Sequence, residues 1–170
     1  MVKNAKGFTI VELLIVIVVV AILATISIVA YNGIQVRARD AQRNNDITVL
    51  LKGLENYRTI NGVYPTATPT SGDSGWESSY TDVSNPMSFM EYLDISKRPL
   101  DPLSNSTYRY RYYKYPAGNG GCVASRGGYM VLVVQFENSL SKPTGNSVSC
   151  PSYSLADGGS IYIMVKFDNE

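Results

Sequence analysis

The chain contains no histidine. That removes the commonest general base and the commonest metal ligand from any candidate chemistry. There are only two cysteines, Cys122 and Cys150, and a single tryptophan, Trp76. Two cysteines without histidine fall short of the four ligands of a structural zinc. Charge is sparse and balanced, with 15 basic and 14 acidic side chains in 170 residues and a net charge of +1. Strong non-specific nucleic-acid binding across the whole fold is therefore not expected, although a local basic patch is compatible with this balance. G-x-S-x-G, H-E-x-x-H and phosphate-loop patterns are all missing. Gly118-Asn119-Gly120-Gly121 follows a tyrosine-rich stretch and precedes Cys122, which suits a hairpin loop better than a phosphate cradle. The expectation is a protein that is not an enzyme and has no cofactor.

Long apolar sequence is present, and it is concentrated at the start. A leader carrying Lys3 and Lys6 ends at Gly7, and from Phe8 to Ala30 the only ionisable side chain is Glu12. Some 20 apolar residues at a rise of ~1.5 Å each span the ~30 Å hydrocarbon core of a bilayer. Valine and isoleucine dominate, but a lone strand in lipid would leave its backbone unpaired, so the segment must be helical. The leader lysines favour the cytoplasmic side, which puts the rest of the chain outside. A secretory signal peptide is one alternative, cut near Ala24 or Ser27, and a plain signal anchor is another. Neither accounts for a carboxylate at this depth, where a charge at mid-membrane costs roughly 2.5–3.5 kcal/mol and a shallower one less.

The stretch Gly7-Phe8-Thr9-Ile10-Val11-Glu12-Leu13-Leu14 resembles the class III signal of type IV prepilins and their pseudopilin relatives. The resemblance implies cleavage by a membrane peptidase after Gly7, N-methylation of Phe8, and pairing of Glu12 with the Phe8 amine of a neighbouring subunit. An isolated buried charge is costly and a paired one much less so, so Glu12 would act as a registry device between subunits. Pairing within one subunit stays open.

Past Ala30 the helical pattern continues. Ile34, Ala38, Ala41, Leu51, Leu54 and Tyr57 recur at helical spacing, beside Ile47 and Leu50, while Arg37, Arg39, Asp40, Arg43, Asp46, Lys52 and Glu55 are assigned to the solvent side. The helix should stop near Asn61-Gly62. A Thr/Ser/Pro/Gly-rich loop over 63–85, a short helix over 86–95 and three strand candidates at 107–115, 129–137 and 161–167 follow. With no intervening helix pattern, the sheet should be antiparallel. This order resembles the type IV pilin fold, an α+β architecture in which a long N-terminal helix packs on a sheet of about three to four strands. The expected organisation is a leader over 1–7, a membrane or filament-core half over 8–30, an amphipathic half over 31–60 and a globular head over 61–170.

In an exported domain, an even cysteine count reads as a disulfide between Cys122 and Cys150, worth ~3 kcal/mol in the chain-entropy model, with two buried thiols as the alternative. Tyr108, Tyr110 and Tyr112 alternate with Arg109 and Arg111. The plain expectation is strand packing with a solvated basic side. A sharper one places Arg109, Arg111 and Tyr110 on a nucleic-acid or glycan surface. Asp157, Asp168 and Glu170 lack the dense pattern of a calcium loop, so no metal is expected. The resemblance implies a homo-oligomeric helical filament, a prepilin peptidase and a membrane assembly platform as partners, with DNA a further candidate. The precursor would sit in the cytoplasmic membrane and the product in an extracellular pilus used for adhesion, twitching or DNA uptake. A minor pilin or a type II secretion pseudopilin is the nearest alternative, and a membrane-anchored binding domain that never polymerises a distant one.

Overall fold

The computed structural model describes residues 7–67, 76–80, 88–143 and 160–169. The helix forms as the periodicity requires: α1 runs Ile10–Asn61. It ends where Gly62, at φ +77, adopts the left-handed conformation and donates its N–H to the Arg58 carbonyl at 2.7 Å. Glycine reaches that conformation without steric cost, which is why the helix stops at Asn61-Gly62. The chain divides into two compact units, Met1–Arg37 and Ala38–Glu170.

In the first unit, the large apolar side chains from Phe8 to Ile28 are exposed, from 48% at Val18 and Val19 to 86% at Phe8. It is long and apolar enough to cross a membrane. Its hydroxyls are satisfied internally. Thr25 Oγ1 donates to the Ala21 carbonyl at 2.7 Å and Ser27 Oγ to the Leu23 carbonyl at 2.8 Å. Neither hydroxyl would therefore enter lipid without a hydrogen bond.

The second unit is built on a sheet of order β1-β2-β3-β4, antiparallel throughout. The strands are β1 (Glu77–Ser78), β2 (Tyr110–Tyr115), β3 (Tyr129–Gln135) and β4 (Ile161–Phe167). β3 is central and its first six residues are buried, consistent with its near-continuous apolar sequence. One sheet face carries Tyr110, Tyr112, Met130, Leu132, Val134 and Tyr162, which cluster with Ile47, Leu50 and Leu54 of α1. The other carries Val131, Val133, Ile163, Val165 and Phe167, with Cys122 and Trp76 against them. Full burial of a leucine such as Leu50 or Leu54 contributes about 1.5–3 kcal/mol.

Three expectations need correction. The buried stripe of α1 is Asp40, Arg43, Ile47, Leu50 and Leu54, with Asp46 beside it, while Ile34 is 62% exposed. The spacing of three and four is helical as expected, but its first turns are charged because partners elsewhere in the fold neutralise them. Of the expected helix over 86–95, residues 86 and 87 lie outside the described residues, and the remainder contains a single 3-10 stretch, Ser88–Tyr92. A tight turn suffices because Phe89, Met90 and Leu93 all reach the core, Phe89 stacking on Tyr112 at 4.0 Å, whereas Tyr92 is 58% exposed. β1 has no alternating pattern to announce it. It is held by Glu77, whose carboxylate accepts the Phe89 N–H at 3.1 Å, and by Ser79, whose N–H donates to the Tyr110 carbonyl at 3.0 Å.

Tyr64 anchors the segment after α1. Its N–H donates to Asp168 Oδ1 at 2.9 Å and its hydroxyl to Glu55 at 2.8 Å, while the Tyr112 hydroxyl donates to the Pro65 carbonyl at 2.7 Å. Asp46 illustrates an opposite balance of forces. Burial pushes its pKa above the ordinary value, against the Tyr110 hydroxyl that donates to it at 2.7 Å. A raised folded-state pKa means that the folded form binds the proton more tightly, so stability is lost as pH rises through that value. Asp46→Asn keeps an acceptor for Tyr110 and removes the buried charge. It is expected to raise the melting temperature at neutral pH, with the gain shrinking toward pH 4 in thermal scans.

Candidate assembly site

Phe8, Thr9 and Glu12 stand at the first turn of α1. Glu12 Oε2 accepts both the Thr9 N–H and the Thr9 hydroxyl at 2.8 Å, and the Glu12 N–H points back to Thr9 Oγ1 at 3.3 Å. This reciprocal pair is a capping box, which satisfies N–H groups that a helix start otherwise leaves without partners. A carboxylate at this end also meets the positive pole of the helix dipole. The T-x-x-E spacing is the sequence signal for Thr9, a residue that the reading of the apolar run passed over. Phe8, Glu12, Leu13 and Val16 line a recess on the helix surface. Gly7 is exposed, and a Cβ added there would meet nothing within 4 Å.

A buried charge cluster occupies the second unit. Arg43 is fully buried and bridges three carboxylates. It grips Asp101 in bidentate fashion at 2.7 and 2.9 Å, Asp40 at 2.7 Å and Glu137 at 2.8 Å. Glu137 in turn takes a bidentate bond from Arg39 at 2.7 and 2.6 Å. Asp40 also accepts the Glu137 and Asn138 backbone N–H groups at 3.1 and 3.0 Å, and Asp101 that of Leu103 at 2.9 Å. Burial works against the Arg43 cation, but the hydrogen bonds to Asp101, Glu137 and Asp40 outweigh it and hold its pKa above the ordinary value. The Arg39 hydrogen bond, against a smaller effect of burial and helped by Arg43, holds the Glu137 carboxyl below the usual range. The cluster thus fastens α1 to the loop after Pro99 and to the chain leaving β3.

Residues 2–28 match the family described as the prokaryotic N-terminal methylation motif. The chain is also 32% identical over 110 residues to type II secretion system core protein G of Vibrio cholerae, an alignment covering 64% of this chain and 71% of that protein. The chain belongs to the type IV pilin and pseudopilin family. The corresponding core protein G of Aeromonas hydrophila is 29% identical over 103 residues, covering 61% of this chain and 71% of that protein. No solved structure matches. As a pilin-like or pseudopilin subunit the chain is a structural component, and the methylation motif with its apolar helix marks a membrane-anchored precursor.

The remaining predicted positions of this pilin-like chain distribute as follows. Tyr110 does not reach a surface: it is fully buried on the sheet face that meets α1, with its hydroxyl on Asp46. It cannot stack on a ligand, because strand alternation sends it inward while Arg111 of the same strand points the other way. Arg109 and Arg111 are half-buried, and the Arg111 guanidinium lies 5.8 Å from the Trp76 ring centre. Cys122 is buried, and there is no free cysteine among the described residues, while Cys150 lies outside them. Asp168 is engaged by the Tyr64 N–H and by Lys114, and Asp157 and Glu170 lie outside the described residues. Among the described residues, no group of three or more acidic or cysteine side chains is gathered as a metal site would need.

Proposed function

We propose that this chain is an ordinary structural subunit of a type IV pilus. It is made with a leader over 1–7, cut after Gly7 by a prepilin peptidase, N-methylated on Phe8 and polymerised by a membrane platform into an extracellular helical filament. Residues 8–30 form the filament core, 31–60 the amphipathic continuation and 61–170 the head, tied by a Cys122–Cys150 disulfide. The observation that carries this reading is an α1 surface exposed over its first five turns and apolar but for one charge, Glu12, and the internally bonded hydroxyls of Thr25 and Ser27. Such a surface is stable in lipid or against other copies of itself. Cleavage creates a charged amine on Phe8 one helical turn from a carboxylate, and in the filament Glu12 receives the amine of a neighbour. Gly7 has room for a side chain in this structure. Its small size is therefore a demand of the peptidase rather than of the fold.

A second reading, a type II secretion pseudopilin, is favoured by both relatives, which are core protein G of type II secretion systems. The scattered C-terminal acids and the cysteine pair favour the pilus. Intact-mass and N-terminal peptide analysis of the mature protein tests the processing step: N-methyl-Phe8 is expected, and a retained leader or a cut near Ala24 refutes it. Abundance in filaments sheared from the cell surface is expected for a pilus subunit. Confinement to the envelope in a strain that makes such filaments favours the secretion role. Adhesion, twitching and DNA uptake are the roles such a filament would serve.

A further inference from the structure

Lys114 and Asp168 meet on the sheet face turned toward α1, across the start of the central strand. The strand register sets this up. Tyr115, Tyr129 and Phe167 stand opposite one another on β2, β3 and β4. One step beyond, Asp168 donates its backbone N–H to the Gly128 carbonyl at 2.8 Å. Alternation puts Lys114, Gly128 and Asp168 on the same face, with the glycine between two longer side chains. A Cβ at Gly128 would stand 2.9 Å from Asp168 Oδ2 and 3.2 Å from Lys114 Nζ, and would wedge the pair apart. Across that gap Lys114 Nζ contacts Asp168 Oδ1, and the two side chains are only 13% and 7% exposed. Tyr64 closes the site. Its N–H donates to the same Oδ1 at 2.9 Å, and its ring centre lies 5.4 Å from Lys114 Nζ. Glu55 accepts the Tyr64 hydroxyl and Arg58 donates to the Asp168 carbonyl at 3.2 Å, so both residues are held from α1.

We propose that Lys114 and Asp168 are joined by an intramolecular isopeptide bond, formed without an enzyme or cofactor once the head has folded. Burial favours the uncharged forms of both groups. It holds the Lys114 pKa below the ordinary value, against the hydrogen bond and attraction of Asp168. Proton transfer within the pair leaves a free amine beside a carboxylic acid. Nζ then adds to Cγ, and the Tyr64 N–H stabilises the charge that gathers on Oδ1. The C–N bond forms and the Cγ–Oδ2 bond breaks. The oxygen leaves as water, carrying two protons that began on the ammonium, and nothing is oxidised or reduced. Two groups held in contact need no encounter, which removes most of the entropic barrier. The amide also replaces two desolvated charges, each costly to keep from water. The bond ties β2 to β4 across β3, and closes the chain from Lys114 to Asp168 into a covalent ring. The site lies within the head, so the proposal does not depend on which filament the chain builds.

The test is the intact mass of the full chain, purified in detergent, then reduced and denatured. The N-terminal peptide is weighed alongside, so that leader removal and methylation are accounted for. The parent chain is expected to be lighter than its sequence by one water. Trypsin should then release residues 112–126, uncut after Lys114, joined to residues 167–170. Tandem mass spectrometry reads the branch between Lys114 and Asp168. Lys114→Met and Asp168→Ala are each expected to show the full sequence mass, with far-UV circular dichroism checking that they fold. A succinimide at Asp168-Asn169 would also lose water, but it would persist in Lys114→Met. A parent chain at its full sequence mass overturns the proposal, as does a water loss that survives Lys114→Met. Should Lys114→Met fail to fold, the branched peptide of the parent decides alone: its presence establishes the bond, and cleavage after Lys114 throughout the sample refutes it.

Discussion

Arg43→Met is expected to destabilise the head by ~3–5 kcal/mol, the usual cost of removing one partner from a buried ion pair. Asp40 and Asp101, both buried, would be left facing each other without a cation, and Glu137 would keep only Arg39. Their backbone hydrogen bonds survive, which limits the loss to this range instead of unfolding the domain outright. Against a typical domain stability of 5–15 kcal/mol, the change is large and should lower the melting temperature on the order of 10–15 °C. Arg43→Lys restores the charge without the fork that grips Asp101, and should recover only part of the loss. The pH dependence tests the mechanism independently. Glu137, held low in the native protein, contributes stability above the unfolded carboxylate pKa and loses it as pH falls through its folded value. In Arg43→Met, Glu137 loses one of the two cations that hold its carboxyl low, so the gap to the parent should narrow toward pH 4. A melting temperature within a degree or two of the parent at neutral pH would refute the account.

Glu12→Ala is expected to leave a processed, membrane-inserted protein that makes no filaments or very few. Removing a carboxylate from an apolar helix eases insertion, so the precursor has no reason to be lost. In the polymer, a neighbour's Phe8 amine would then be buried without its partner. A deficit of ~3 kcal/mol per subunit added lowers the elongation constant by about two orders of magnitude. Alanine also removes the capping box with Thr9, and a cap alone contributes about 1 kcal/mol. Two further substitutions separate the two roles. Glu12→Gln retains an oxygen for Thr9 but no charge, and should fail to assemble. Thr9→Val removes the cap and keeps the carboxylate, and should assemble. Electron microscopy and shear-fraction yield measure both. Normal filaments from Glu12→Gln would assign the carboxylate to the cap and remove the case for pairing between subunits.

The features legible in the sequence are those set by residues close together in the chain. The apolar run, the stop at Asn61-Gly62, three of the four strands and their antiparallel order follow from local period and turn chemistry. Glu12 stands out for the same reason, as one charge in a window of apolar neighbours. β1 escaped because two residues have no period. Arg43 was placed toward solvent because charge usually goes there, and only its partners overturn that rule.

Those partners lie 58 residues away at Asp101 and 94 away at Glu137. No local pattern connects residues so far apart, since their meeting depends on how the strands bring distant loops onto α1. The alternation of tyrosine and arginine around β2 likewise shows two faces without saying which one meets the helix. Packing decided it, sending Tyr110 and Tyr112 into the core and leaving Tyr113 and Tyr115 beside Trp76. By itself the sequence determined the membrane-length helix and singled out Gly7, Phe8 and Glu12 as candidate residues, because hydrophobic length and a lone charge are properties of adjacent residues. The tertiary structure alone decided where the head's charges and rings are neutralised, buried or shown, because burial and pairing belong to the folded chain.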